Sequence, residues 1–337
     1  MKWALFFVSV CAASAAGLYF LMIDMPGASY SAGIPSPTSE QTAAALRMRN
    51  SVKVLTEDIG ERSVRVPENL AKASAWLNHE FAAMGYRVTR QSFKTDSSEL
   101  SMFDVPCENI IAEKVGTSLP AEILIVGAHY DSLAGTVGAD DNASGVAAVL
   151  ELARRFAKSD MQRTVRFAAF VNEEPPFFRS KYMGSLRYAE KLKGQRENVV
   201  GMLSVETIGF YSEEPNSQDY PDPFSFIYPD KGNFIGIVGD LSSRSFVREV
   251  VRTFRLTAQI PSQAGAIFSF VPGIGSSDHW AFWQYDYPGV MVTDTAPYRY
   301  PHYHRKTDTT DKLNFAQMAL VVDGLESVIQ ELAGETQ

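Results

Sequence analysis

Two short strings hold the residues whose chemistry is easiest to name. G-A-H-Y-D-S runs from Gly127 to Ser132, and G-A-D-D-N-A-S-G from Gly138 to Gly145. They set His129, Asp131, Asp140 and Asp141 within one loop of each other. An N-E-E tripeptide follows at Asn172 to Glu174, V-E-T at Val205 to Thr207, and P-H-Y-H-R-K-T-D-T at Pro301 to Thr309. Imidazole nitrogen and carboxylate oxygen are ligands that suit Zn²⁺, at about 2.0–2.2 Å. Two histidines and several acids can hold two such ions that share one carboxylate. Of the five histidines, three lie in these motifs, and of the other two only His79 lies outside both these and the string Ser277-Asp278-His279.

Each motif also has a plain structural reading. His129 fits a surface loop, and Asp140 and Asp141 fit the N-cap of a following helix. Glu173 and Glu174 fit a solvated face. Beside a metal, one of that pair would ligate while the other takes a proton from activated water. Asp131, two residues after His129, is placed to orient the imidazole ring. Glu206 ends an apolar run, where an unpaired carboxylate is costly to bury. His302 and His304 alternate around Tyr303, so an extended segment offers only one of them to a site. Asp308, four residues on, is expected to support the ring of His304. Ser277-Asp278-His279 adds a further candidate for supporting or substrate contacts. The joint order of His, Asp, Glu-Glu, acid and His is far more specific than any one string.

The elements that must position these residues alternate between strand and helix. Strands are expected at Tyr86–Phe93, Glu122–Ala128, Thr164–Val171, Val199–Val205, Phe224–Tyr228 and Pro288–Val292. Helices are expected at Ser39–Glu57, Pro67–Met84, Gly145–Lys158, Ser242–Phe254 and Phe315–Leu332. This pattern predicts an α/β fold, a three-layer α/β/α sandwich around a mixed, mostly parallel twisted sheet. Function in such sheets gathers at the carboxyl ends of strands. Three of the motifs sit at such ends. The polar, proline-containing stretch Ser212–Pro223 reads as a loop near the mouth of the site.

The chain has 337 residues, 45% apolar and 21% charged, enough for a sizeable core. Its net charge of −8 excludes a basic nucleic-acid footprint. Cys11 and Cys107 are the two cysteines. They form no disulfide framework, so metal ligation falls to His and carboxylates. Lys2 precedes an uncharged run, Trp3 to Ile23, long enough to cross a hydrocarbon core of about 30 Å. Residues 1–24 are read as an uncleaved membrane anchor, or else as a signal segment cleaved near Ala12–Ala16. Both readings export the rest. Residues 25–40 read as a linker and 41–337 as the catalytic domain.

From about Val52 to Leu332, and most strongly from Gly127 to Glu174, the motifs resemble those of the clan-MH zinc exopeptidases. These include bacterial leucyl aminopeptidase, aminopeptidases S and Y and the glutamate carboxypeptidases. The resemblance implies that His129 ligates one zinc with Asp131 behind it. It implies that Asp141 bridges two zinc ions, and that a cis peptide joins Asp141 to Asn142. Glu173 matches the general base; Glu174 and His304 match the ligands of the second zinc. The later acidic ligand, commonly Asp in the family, is Glu206 here. The usual short link from E-E to a glycine-serine turn is lengthened to E-E-P-P-F-F-R-S-K-Y-M-G-S, ending at Ser185. The resemblance implies a peptide substrate and two Zn²⁺ per chain. The expected activity is that of an aminopeptidase, using zinc-activated water with Glu173 as base. The alternatives are a glutaminyl cyclase-like acyltransferase and a non-catalytic, receptor-like ectodomain.

Overall fold

The segment Glu122-Ile-Leu-Ile-Val-Gly-Ala-His129 has apolar residues without polar alternation, so its strand must be covered on both faces. It is. Leu124 and Val126 join one core, with Val165 and Phe167 of the neighbouring strand. Ile123 and Ile125 join another on the opposite face, with Ala168 and Phe170. The computed structural model describes residues 16–95 and 104–334. Eight strands make one sheet: β1 Arg87–Lys94, β2 Pro106–Lys114, β3 Leu119–His129, β4 Arg163–Phe170, β5 Asn198–Glu206, β6 Ile235–Gly239, β7 Ser262–Ala266 and β8 Gly289–Thr293. Their order is β1-β2-β4-β3-β5-β8-β6-β7. The four central strands, β4, β3, β5 and β8, are parallel. Antiparallel pairs occur at β1–β2, β2–β4 and β6–β8, so the sheet is mixed.

Helices Ser39–Lys53, Pro67–Ala83, Gly145–Phe156, Arg244–Thr257 and Phe315–Ala333 cover the larger core. Helices Gly184–Gly194 and His279–Trp283 cover the smaller one. The α/β/α sandwich is therefore as the sequence predicts. Local signals set several boundaries. Thr38 and Gln41 close a capping box on the first of these helices. Pro67 opens the next in its first turn.

One expected strand is absent. Phe224–Phe226 is a single 3₁₀ turn, and the aromatic run to Tyr228 lines a cavity instead of joining the sheet. Its apolar character reflects that wall. Strands β2, β6 and β7 escape the sequence reading. β2 begins at Pro106 and carries Cys107, Glu108 and Asn109 before its apolar part, while β6 and β7 are five residues each and rich in Gly or Ala.

A buried cation ties the helical layer to the loops above the sheet. Arg62 is fully buried and donates to the carbonyls of Leu55, Gly60, Tyr130, Val137 and Gly138. Burial pulls its pKa down to about 10, while Asp131, Asp308 and Asp141 oppose the shift.

Candidate metal centre

The carboxyl ends of β3, β4 and β5 lie side by side, and the chain leaves each with a functional residue. His129 is the last residue of β3 and Glu206 the last of β5. Glu173 and Glu174 follow β4 by three and four residues. Backbone strain helps to aim them, since Asn172 and Thr207 both adopt positive φ, 62° and 44°. Asp141 enters from the loop before helix Gly145–Phe156, and the Asp141–Asn142 bond is cis. That helix starts with Gly145 because a Cβ there would stand 2.3 Å from both Asn142 Oδ1 and Val205 O.

Two groups of three residues result: His129, Asp141 and Glu206; and Asp141, Glu174 and His304. The ligand atoms within each group lie within 4.8 Å of one another. Asp141 belongs to both and divides its oxygens. Oδ1 is 3.3 Å from His129 Nε2, and Oδ2 is 3.1 Å from His304 Nε2. His129 Nε2 is also 3.3 Å from Glu206 Oε2, and His304 Nε2 is 3.3 Å from Glu174 Oε2. Glu173 stands further back, with Oε2 3.9 Å from His129 Nε2. The structure thus brings all seven sequence-nominated residues together. Of the two alternating histidines, His304 enters, at φ 57° and stacked on Tyr303, while His302 bonds Thr307.

Supporting contacts fix this arrangement. Asp131 accepts the Glu173 backbone N–H on Oδ1 at 3.2 Å and the Glu174 N–H on Oδ2 at 3.1 Å. Its Oδ1 is also 3.5 Å from His129 Nδ1. One carboxylate therefore aligns a candidate ligand, the base candidate and a second candidate ligand. Ser277 donates to Glu206 Oε2 at 2.7 Å, with Ser204 2.9 Å behind it. Asn142 donates to Glu206 and to Val205 O, and accepts from Gly145 N and Thr207 N.

Asp308 corrects the sequence reading. It does not support the ring of His304. It accepts the backbone N–H groups of Asp140 and Asp141 and the hydroxyl of Tyr300. The expectation followed sequence distance, whereas the turn after His304 carries Asp308 beneath the bridging loop. Asn142 and Ser277 had weaker signals. Asn142 lies inside a string noted for its acids and acts through an amide that spacing does not reveal; Ser277 lies in the string expected to add supporting contacts and supplies one.

The electrostatics call for a cation. Burial pushes Glu174 up to about 8, with Asp141 adding to the rise. Burial likewise raises Glu173 and Glu206. Burial would lower both imidazoles, but Glu206, Asp131 and Asp141 hold His129 well above its ordinary value. Asp141 and Glu174 lift His304 to about 10 against the same opposition. Asp141 Oδ2, Glu174 Oε1 and His304 Nε2 are buried without a hydrogen-bond partner. Unpartnered acceptors converging from a His and carboxylate set are what a hard-to-borderline divalent ion requires. The residues fit zinc.

A family model, peptidase family M28, matches residues 109–328. An uncharacterized protein of Escherichia coli, YfbL, is 38% identical over 87% of this chain and 90% of its own length. This chain belongs to peptidase family M28. It is a hydrolase of the zinc metallopeptidase type. Leucine aminopeptidase 1 of Arthroderma otae is 26% identical, over 86% of this chain and 75% of that protein. Among solved structures, the aminopeptidase from Aneurinibacillus sp. strain AM-1 shares the fold with a TM-score of 0.65 and 18% identity, covering 87% of this chain and 95% of that one. A glutaminyl cyclase from Bacteroides thetaiotaomicron shares it too, with a TM-score of 0.62 and 18% identity, covering 88% and 99%.

Proposed function

We propose that this peptidase is a two-zinc aminopeptidase. The observation that carries the reading is the pair of His–carboxylate triads meeting at Asp141. His129 and Glu206 would hold one ion, Glu174 and His304 the other, and Asp141 both. Bound zinc would supply Lewis acidity, lowering the pKa of water and polarising the scissile carbonyl. Glu173, set back from the donors, takes the proton of the attacking water on a carboxylate oxygen and returns it to the leaving amine. Asp131 positions Glu173 through the backbone, so the base needs no movement to work.

An apolar cavity opens beside the centre. Glu206, Thr207 and Tyr303 form its near wall, and Phe224, Tyr228, Phe234, Ile267, Ile274 and Met291 line its depth. Its volume is about 110 Å³, and among the described residues no Lys or Arg lines it. That lining suits a bulky apolar side chain and offers no partner to a substrate carboxylate. The buried glutamates around it suit an α-ammonium. Both features favour amino-terminal over carboxy-terminal recognition.

The glutaminyl cyclase reading keeps the same fold and the same glutamate. It needs one ion, so the metal count, and not the retention of Glu174 and His304, separates it from hydrolysis. The receptor-like reading predicts eroded ligands, and here every position is filled. Residues 3–23 hold the enzyme to a membrane in our reading, with the catalytic domain outside the cytoplasm. Among the described residues no helix is long and apolar enough to cross a membrane. Most of that run lies outside the described residues.

The test uses the purified full chain. Metal analysis should return two zinc ions per chain, falling below one in Asp141→Ala. Leucyl-anilide hydrolysis should vanish on chelation and return with zinc. Ammonia release from an N-terminal glutaminyl peptide, without anilide hydrolysis, would establish the cyclase. Full activity of the chelated chain would end the metal reading.

A further inference from the structure

One face of the molecule is apolar and charged in a way the metal centre does not explain. Phe226 is 88% exposed and Phe270 80% exposed, each on a loop whose other residues wall the substrate cavity. Ile227 beside Phe226 is exposed as well. These loops meet in one small core, where Phe224, Ile267 and Ile274 pack together. Met22 belongs to that same core.

Residues 16–22 are helical and reach the domain here, so the end of the uncharged run Trp3–Ile23 sits against the cavity loops. Tyr19 lies close enough to Tyr228 to raise its pKa, after burial. Leu18, Tyr19 and Phe20 are themselves exposed.

The helix Arg244–Thr257 clamps this segment. Arg244 donates to Leu21 O at 2.6 Å and to Phe20 O at 2.9 Å, and Arg248 donates to Asp24 O. Arg255 donates to the carbonyls of Met25, Pro26 and Gly27. Arg244 and Arg248 lie one turn apart at the end of the helix that meets Phe20 and Leu21, whereas Arg252 and Arg255, about 12 and 16 Å further along it, pair with Glu331 and with the carbonyls named above. These bonds fix the depth of the domain relative to the run. Phe20 and Leu21 cannot enter a bilayer without bringing the end of this helix, and the loops beside it, to the headgroup layer.

We propose that this face rests on an anionic lipid bilayer, with Phe226 and Phe270 inserted at the headgroup level and Arg244 and Arg248, at the near end of the helix, against lipid phosphates. Aromatic rings suit that layer, and basic side chains gain from an anionic surface. A second copy of the chain is the weaker occupant, because it would offer the uncharged run Trp3–Ile23, which ends on this face, no apolar layer to enter. The consequence for function is location: the apolar cavity opens among loops held at the lipid surface, so its substrates are peptides presented there.

The test places reporters on the full chain. Phe226→Trp and Phe270→Trp are each reconstituted in vesicles of phosphatidylcholine and phosphatidylglycerol, 3:1, with brominated acyl chains. Val115→Trp, in the turn between β2 and β3 far from these loops, is the control. Neither Phe226 nor Phe270 lines the cavity. Zinc content and leucyl-anilide turnover are measured on the same samples. Bromolipid should quench the added emission at 226 and 270 at least threefold more than at 115. Equal quenching at all three sites would overturn the proposal, as would shielding at 226 and 270 that follows protein concentration in detergent. Either result leaves the peptidase reading intact if turnover persists. Loss of turnover in every sample, the control included, with normal quenching would sink that reading and not this one.

Discussion

The carboxylate of Asp308 receives the backbone N–H of Asp141 at 3.2 Å, across 167 residues of sequence. The shared acid of the two triads is therefore aimed from the far end of the domain. Asp308→Asn keeps the size but offers one acceptor where two backbone donors point. Zinc affinity should fall about 10–100-fold, the usual cost of losing such a support. Competition with a chelator measures it. Tyr300→Phe removes one hydroxyl donor to the same carboxylate. It should cost only about 0.5–1.5 kcal/mol of stability, with affinity nearly unchanged. An unaltered affinity in Asp308→Asn would show that Asp141 needs no such brace.

Glu173 and Glu174 are adjacent but differ in distance from the donors. Glu173→Gln should keep both zinc ions and lose about 10²–10⁴-fold in turnover, with KM little changed. Glu174→Gln should lower zinc content first, and turnover as a consequence. Steady-state kinetics with metal analysis separates the two. Reversed phenotypes would exchange the roles within the pair.

The metal-free protein should respond to pH in a defined sense. Glu174 is raised from 4.5 to about 8, chiefly by burial, and His304 from 6.5 to about 10 by its carboxylate partners against burial. A group raised on folding stabilises the fold below its unfolded pKa. That stability is lost as pH rises through the folded value. Chelated protein should thus lose Tm steadily from pH 5 to pH 9. Asp141 is shifted down, so its contribution is lost only below about pH 4. Zinc competes with protons for the ligands, so the stabilisation by zinc should grow over the same interval. Parallel melting curves with and without zinc check both signs. A metal-independent Tm would contradict the charge balance described for the centre.

The cavity makes a specificity prediction. Leucyl- and phenylalanyl-anilides should exceed the aspartyl compound by at least about 10²-fold in kcat/KM, since a buried unpaired charge costs several kcal/mol. Val271→Trp narrows the cavity loop. It should raise KM for the phenylalanyl substrate while sparing the alanyl one. Equal losses for both would mean that the side chain lies elsewhere.

The sequence makes the central layer legible because β3, β4, β5 and β8 are apolar on both faces and begin or end in turn residues. At the edges, β1 is legible through its alternation, whereas a five-residue strand such as Ser262–Ala266 has no strong periodicity. The aromatic run at Phe224–Tyr228 has the composition of a strand, and only tertiary contacts show that it walls a cavity. At the site, His129, Glu173 and Asp141 stand out because their residue types have few bland uses in that order. Asp308 was visible but misassigned, as spacing along a turn does not show which backbone donors lie beneath it. Asn142 acts through an amide too common to be singled out, whereas Ser277 lies in a string expected to add supporting contacts and makes one, to Glu206.

The buried guanidinium of Arg62 has a consequence for where the functional unit begins. The family match starts at residue 109, yet the carbonyls of Tyr130, Val137 and Gly138 depend on a donor 47 residues earlier. A fragment trimmed to the matched region would strip this donor from the Tyr130 and Val137 oxygens, and leave Gly138 O only the Ala143 N–H, on the loop that carries Asp131 and leads to Asp141. Losing the donor at those two would cost about 1–3 kcal/mol each, a sizeable share of the stability of a typical domain. The smallest autonomous enzyme within this chain therefore includes the helical layer before β1, although none of the nominated metal ligands resides there.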